Sequence, residues 1–214
     1  MTTTSQHAGW LAACIVAAVC MTAQLPARAG TFAAPEGATA CVACHGVQGE
    51  GSAAAHAPRL AGQNAQYLER TLTMLKAGTR TSPIMQPIAS GLSGAEIHDL
   101  TAYFAGLHGV PLPAAAPPPA DLVQAGKELA QVGARADPTP SCVSCHGIDG
   151  HGVGARFPNI AGHPATFMVD RLHEFQARAK AKAPDFGTMT EVATHLNETQ
   201  IGQVAAYLST LPPP

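Results

Sequence analysis

Apolar residues recur at helical spacing in two matching stretches of the chain. Residues 64–76 place four apolar side chains on one stripe, namely Tyr67, Leu68, Leu72 and Leu75. Asn64 stands just before them, where an asparagine side chain caps a first turn. Residues 164–177 begin with Pro164, which a first turn accepts. Their stripe consists of Phe167, Met168, Leu172 and Phe175.

Two more helices are predicted from their capping boxes. Ser93-Gly94-Ala95-Glu96 opens a helix that runs to about Leu107, and Asn197-Glu198-Thr199-Gln200 opens its counterpart, which runs to about Leu211. A further helix is predicted at about 122–131. No run shows sustained strand alternation. The pattern therefore predicts an all-α fold of short helices.

These elements form a repeat. Near a spacing of 100 residues, Pro58 matches Pro158, Ala61-Gly62 matches Ala161-Gly162, Tyr67 matches Phe167 and Leu72 matches Leu172. At a spacing of 104, Met85 matches Met189, Leu92 matches Leu196, Tyr103 matches Tyr207 and Leu107 matches Leu211. Small changes of spacing are typical of short loop insertions, so one domain is present twice.

We place the first domain at residues 30–110, a linker rich in proline and alanine at 111–120, and the second domain at 121–214. The stretch between Gly30 and Cys41 is short and contains Pro35 and Gly37. The first helix of copy one is therefore expected to be missing or reduced to a turn.

The N-terminus resembles an export signal. Leu11 to Leu25 is an apolar run too short to span a bilayer comfortably, and Ala27-Arg28-Ala29 suits a signal peptidase. We predict a signal peptide at residues 1–29, cleavage after Ala29 and a periplasmic mature protein. An uncleaved anchor is the alternative, because the segment before the apolar run contains no Lys or Arg.

Composition narrows the class of protein further. Aromatic residues make up only 5% of the chain, so little bulky material is available for one large core. Two small cores, each built around something other than side chains, fit that deficit. The formal charge of -2 gives no reason to expect a nucleic-acid partner, which calls for a clustered basic surface.

The four cysteines beyond the signal occur as Cys41-Val42-Ala43-Cys44-His45 and Cys142-Val143-Ser144-Cys145-His146. Cys-x-x-Cys-His is the attachment signature of c-type haem. Both thiols can form thioethers to one haem, and the histidine places its imidazole under the iron. A disulfide or one four-cysteine zinc site is the alternative, but neither explains the repeated histidine.

The iron needs a second axial ligand on its other face. Met85 and Met189 follow the haem histidines by 40 and 43 residues, and they are the only methionines that repeat. We expect each in a loop that folds across a haem face, because thioether is a soft ligand and Met/His ligation raises the haem potential. The alternative is a role as core gap-fillers, which we expect of Met74 and Met168.

Histidine is the rival ligand. Outside the two motifs, no histidine beyond the signal has a histidine partner in the other copy, and His163, for example, matches Gln63. We interpret these histidines as surface or core residues. If a methionine fills the sixth coordination position of each iron, peroxidase or oxygen-binding chemistry is not expected.

Two further pairs of residues are candidates for contacts around the haem. Pro58 and Pro158 follow their motifs at similar spacing, and a fixed carbonyl there could accept the proximal histidine N–H. The alternative is an ordinary loop proline. Arg80 and Lys180, which are 100 residues apart, could neutralise haem propionates or could be solvated charges.

The chain resembles the dihaem cytochrome c4 family over nearly all of its mature length. The matching segments are Cys41 to Gly46, Pro58 to Gln63, Tyr67, Lys76 to Arg80 and Met85, with Cys142 to Gly147, Pro158 to Gly162 and Met189 in copy two. His163 stands where the family usually has Gln. The resemblance implies two cytochrome c folds facing each other with their haems near the interface.

The resemblance also implies a periplasmic electron shuttle between a quinol-oxidising complex or dehydrogenase and a terminal oxidase, without catalysis of its own. Membrane association would then be peripheral and through partners. One alternative is a dedicated cytochrome subunit of a periplasmic oxidoreductase, such as a flavocytochrome sulfide dehydrogenase or an alcohol dehydrogenase. Another is a dihaem enzyme, such as a peroxidase or thiosulfate dehydrogenase, which would need a different ligand at one iron.

Overall fold

The structure is a computed structural model that describes residues 1–2, 33–113, 116–134, 139–181 and 187–214. The predicted cleavage site and nearly all of the predicted signal peptide lie outside the described residues. The described part is helical, and its only β-type pairings are two isolated bridges, Ser52 with Ala57 and Val153 with Phe157. An all-α fold is therefore confirmed for the described residues.

The helices of the described part occur in the same order in both copies. The first copy contains α1 (Ala38–His45), α2 (Ala65–Lys76), α3 (Met85–Ser90) and α4 (Gly94–Ala105). The second copy contains α5 (Ala120–Val132), α6 (Val143–His146), α7 (Ala165–Lys180), α8 (Thr188–Thr194) and α9 (Glu198–Thr210). Apart from α5, each helix of the second copy has a counterpart in the first.

The predicted caps are confirmed. The Asn64 side chain accepts a hydrogen bond from the backbone N–H of Tyr67 at the start of α2. Ser93 with Glu96 and Asn197 with Gln200 form complete capping boxes at α4 and α9. In each box, two N–H groups that helix geometry leaves unpaired gain side-chain partners.

Helix α5 distinguishes the second copy from the first. It spans Ala120–Val132, which confirms the predicted helix near 122–131, and it packs along α9. In the first copy, residues 33–37 form no helix before α1 starts at Ala38. For these residues, the expected reduction of the first helix to a turn is confirmed.

Each copy has its own small core. In the first copy, α2 packs against α3 and α4, and the buried cluster is Ala38, Leu68, Leu100 and Phe104. In the second copy, α7 packs against α8 and α9, and Met168 is buried in a cluster with Tyr207 and Leu208. The expectation that Met168 is a core methionine is therefore confirmed.

The two copies contact each other directly. The His56 Nδ1 atom lies 2.5 Å from Asp170 Oδ2, and the Thr166 hydroxyl donates to the carbonyl of Ala53 at 3.0 Å. At the far end of the chain, the N–H of Gly109 donates to the carbonyl of Pro214 at 2.8 Å. The described parts of the linker, 111–113 and 116–119, form no regular structure. No helix among the described residues is long and apolar enough to cross a membrane.

Candidate functional site

Each Cys-x-x-Cys-His motif is wound into a helix that ends at its histidine. Cys41 and Cys44 lie within α1, whereas Cys142 stands just before α6 and Cys145 within it. Every one of these thiols is free, so the disulfide alternative is not found in the described residues. No group of three or more metal-binding side chains occurs in that part of the chain either, which leaves the four-cysteine zinc alternative without support.

The two histidines are buried and held in the same way. His45 and His146 are each only 5% exposed. The Nδ1 atom of His45 lies 2.8 Å from the carbonyl oxygen of Pro58, and that of His146 lies 2.7 Å from the carbonyl oxygen of Pro158. A carbonyl only accepts, so Nδ1 carries the proton in both rings. The lone pair of Nε2 is therefore available to a metal.

Burial also shifts the pKa values of the two histidines and of two of the cysteines. It lowers the pKa of His45 and of His146 below the usual value, and the hydrogen bond to the proline carbonyl opposes this shift. Both imidazoles are therefore neutral at neutral pH, the form that binds a metal. Burial raises the pKa of the free Cys41 thiol, and it raises the pKa of the free Cys142 thiol to about 11.

A cavity of about 470 Å³ lies mainly in the second copy, and residues of α2 and Arg80 of the first copy complete its lining. Its lining includes Cys142, Cys145, His146 and Met189, together with apolar side chains such as Leu172. Two thiols, an imidazole with a free Nε2 and a thioether thus face one largely apolar space. This set of donors fits a haem that the two thiols would attach through thioethers and whose iron the imidazole and the methionine sulfur would ligate.

The candidate methionines lie on short helices, so the expectation that they lie in loops was wrong. Met85 is the first residue of α3, and Met189 is the second residue of α8. The N–H of Met85 is capped by the hydroxyl of Ser82 at 3.1 Å. Pro87 is tolerated in the first turn because its missing N–H would have no partner there.

Arg80 and Lys180 occupy different environments, although they are 100 residues apart. Arg80 lines the cavity of the second copy, beside Tyr67 and Arg171. Burial lowers the pKa of Arg80, and the positive charge of Arg171 lowers it further. Lys180 is exposed at the end of α7, and the cavity lining contains Arg178 instead. Of the two predicted cations, Arg80 lines this cavity and Lys180 does not.

One group of buried residues at the interface between the copies was not predicted from the sequence. Arg59, Gln63, Asn159 and His163 are each less than 5% exposed and join the two copies by hydrogen bonds. The signal was present in the sequence, since Gln63 and His163 are matched polar residues directly after the matched Ala-Gly pairs. What the sequence lacked was any indication that the copies meet there.

Comparisons with known proteins agree with this arrangement. The cytochrome c family profile matches residues 36–108 and 123–212, once in each copy. Over 174 residues the chain is 37% identical to the thiosulfate dehydrogenase electron acceptor of Stutzerimonas stutzeri (strain A1501), covering 80% of this chain and 79% of the relative.

Two solved structures are also similar. Cytochrome c4 of Acidithiobacillus ferrooxidans matches with a TM-score of 0.71 and 31% identity, covering 81% of this chain and 99% of that chain. Thiosulfate dehydrogenase from Marichromatium purpuratum matches with a TM-score of 0.68 and 33% identity. That match covers 80% of this chain but only 36% of the enzyme's chain.

Proposed function

The chain belongs to the cytochrome c family and, within it, to the dihaem cytochrome c4 group, and on that premise we propose that it is a periplasmic electron shuttle. It is an electron carrier rather than an enzyme, and it carries two covalently attached haem c groups. In our proposal, electrons come from a quinol-oxidising complex or a dehydrogenase and pass, one per haem, to a terminal oxidase.

The proposal assigns a role to each residue of the site. Cys41 and Cys44 attach one haem, and Cys142 and Cys145 attach the other. The axial ligand pairs are His45 with Met85 and His146 with Met189. The haem iron supplies the one-electron couple, and the protein supplies ligation, burial and a docking surface.

The main support is the recurrence of one donor arrangement in both copies. Each proximal histidine is buried and donates through Nδ1 to a proline carbonyl. Each copy also carries a methionine in the first turn of the short helix that precedes its terminal helix. A carrier with two closed irons needs this set twice, whereas a catalytic haem would need one of the sixth positions open.

The test is the haem content of the exported protein and its response to carbon monoxide. We expect two haems per chain and no spectral change when carbon monoxide is added to the reduced protein. Met189→Ala should then let one haem per chain bind carbon monoxide, and Met85→Ala should open the other. Met168→Leu is the matched control, because Met168 also lines the cavity but is matched by Leu68 in the first copy.

Carbon monoxide binding by the unmodified protein would contradict closed ligation. Unchanged behaviour of Met189→Ala would exclude Met189 as a ligand. In the first case, the electron-carrier proposal would have to give way to catalysis or sensing at the open haem. In the second case, another side chain would have to close that iron.

A second candidate function is that of a dedicated acceptor for one dehydrogenase. It is favoured by the 37% identity to a thiosulfate dehydrogenase electron acceptor. Stopped-flow reduction of the chain by a thiosulfate dehydrogenase with thiosulfate, compared with reduction by a quinol-oxidising complex, separates the two candidates. Fast reduction by the dehydrogenase alone supports the dedicated role, and fast reduction by both supports the general shuttle.

A further inference from the structure

A continuous path of buried and partly buried hydrogen bonds joins the two proximal histidines across the interface between the copies. It begins at His45, crosses one peptide group of the first copy and reaches His163. It continues to Gln63 through the carbonyl of Asn159, to which both side chains donate. It then crosses one peptide group of the second copy and ends at His146. Both side chains in the middle of the path are less than 5% exposed.

The first part of the path is the peptide group between Pro58 and Arg59. Its carbonyl oxygen lies 2.8 Å from Nδ1 of His45. Its N–H belongs to Arg59 and donates to Nδ1 of His163, in the other copy, at 3.1 Å. One peptide therefore holds the proximal histidine of its own copy and is itself held by a side chain of the opposite copy.

The second part mirrors the first. The peptide between Pro158 and Asn159 has its carbonyl oxygen 2.7 Å from Nδ1 of His146. Its N–H donates to Oε1 of Gln63, in the first copy, at 2.9 Å. The acceptor is an amide oxygen here, whereas in the first part it is an imidazole nitrogen.

The protonation state of His163 follows from its partners. Nδ1 accepts from the N–H of Arg59, so the ring proton is on Nε2, which lies 3.2 Å from the carbonyl oxygen of Asn159. The Nε2 amide of Gln63 donates to the same carbonyl at 3.0 Å. The backbone of Asn159 thus connects the two parts into one network.

We propose that His163 and Gln63 are positioning residues. Each of them acts through a single peptide group on the proximal histidine of the opposite copy and makes the Nε2 atom of that histidine a more basic ligand. The proposal rests on the proposed ligation of the irons by His45 and His146. It also implies that docking of the copies adjusts both haem potentials, and that His163 in place of a second Gln makes the two adjustments unequal.

The physical reason is polarisation of the peptide. A hydrogen bond accepted from a peptide N–H makes the carbonyl of the same peptide a better acceptor. A better acceptor draws the Nδ1 proton further from the histidine ring and makes Nε2 a more basic ligand, which favours the oxidised iron. Removing the acceptor side chain should therefore raise the potential of the haem in the opposite copy.

The experiment compares the midpoint potentials of both haems in four variants. His163→Leu should raise the potential of the haem held by Cys41 and Cys44, with a smaller change or none at the other. Gln63→Leu should do the reverse. His163→Gln keeps an acceptor of the kind used by Gln63, so the potential should return most of the way to that of the unmodified protein. Thr166→Val removes a different contact between the copies and should leave both potentials unchanged.

A second measurement needs no variant and reports on the hydrogen bond itself. In isotope-labelled reduced protein, the bond from Arg59 to His163 should give a nitrogen–nitrogen scalar coupling across the hydrogen bond. An absent coupling, or equal shifts in His163→Leu and Thr166→Val, would overturn the proposal. Failure of the carbon monoxide test with the coupling present would instead count against the proposed ligation alone.

Discussion

At the scale of single residues, His163 is a neutral imidazole enclosed between two domains. Burial lowers its pKa to about 4, and the hydrogen bond to the Asn159 carbonyl only partly opposes the shift. The positive charge of Arg59 lowers the pKa further. Protonation would also remove the lone pair that accepts from the Arg59 N–H. The interface therefore requires the neutral ring.

This burial should make stability depend on pH. The pKa is 6.5 in the unfolded chain and about 4 in the folded one, so between these values the unfolded chain binds more protons. Burial of the neutral ring therefore stabilises the folded chain fully only above pH 6.5. The free energy of unfolding should fall by about 2 kcal/mol between about pH 7 and about pH 5. Guanidinium unfolding at both pH values should show this loss, and His163→Gln should reduce it by that amount. Equal losses in both proteins would contradict the assignment.

The sequence identified the pair of Gln63 and His163 but not the function of either. The repeat aligns them, and a lone histidine without a histidine partner is usually a surface or core residue. The partner of His163 is the backbone of Arg59, 104 residues away and in the other copy. Such a contact depends on how the copies dock, which no local pattern encodes. The proline carbonyls were easier to anticipate because they act within one copy.

At the scale of secondary structure, the crossing of α5 and α9 depends on one glycine. A Cβ atom on Gly126 would lie 1.9 Å from the carbonyl oxygen of Gln203. That oxygen belongs to the backbone of α9, so it cannot move aside as a flexible side chain would. The two helices can approach this closely only because residue 126 has no side chain.

Gly126→Ala should therefore separate the two helices and lower the free energy of unfolding by about 1–3 kcal/mol, a typical cost of overpacking. Chemical denaturation followed by circular dichroism measures the change. Gly202→Ala is the matched control, because no atom lies within 4 Å of its added Cβ. Alanine is the better helix former there, so the control should gain about 0.5–1 kcal/mol. Similar losses in both variants would contradict the close crossing.

Long helices with caps were predictable, and short helices were not. Helices α2, α4, α7 and α9 have apolar stripes or capping residues that are visible in the sequence. Helices α3 and α8 have only 6 and 7 residues, too few for a periodic pattern to emerge. This explains why Met85 and Met189 were expected in loops although their identity as the repeated methionines was recognised.

At the scale of the whole molecule, the docking of the two copies relies on a buried arginine. The Arg59 side chain is 1% exposed, and its Nε donates to the carbonyl of Gly162 at 3.0 Å. Its Nη2 donates to the carbonyl of Val110, next to the linker. The sequence allowed both a compact and an extended pair of domains, since a linker rich in proline does not specify docking. The contacts of Arg59 could not be predicted from the sequence for the same reason.

Arg59→Met should therefore loosen the docking without removing either haem. Methionine keeps much of the aliphatic stem but leaves the buried carbonyl of Gly162 and the partly buried carbonyl of Val110 without their donors. An unpaired buried carbonyl costs about 1–3 kcal/mol, before any relief from removing a buried charge. Denaturant unfolding, followed by visible circular dichroism, should broaden or split as the copies unfold separately. Arg70→Met is the control, because the Arg70 bond to Ala155 is exposed and its loss should cost less than about 0.5 kcal/mol. The N–H of Arg59 remains in Arg59→Met, so any change in the haem potentials should follow the loss of docking. An unchanged single transition would show that docking does not depend on Arg59.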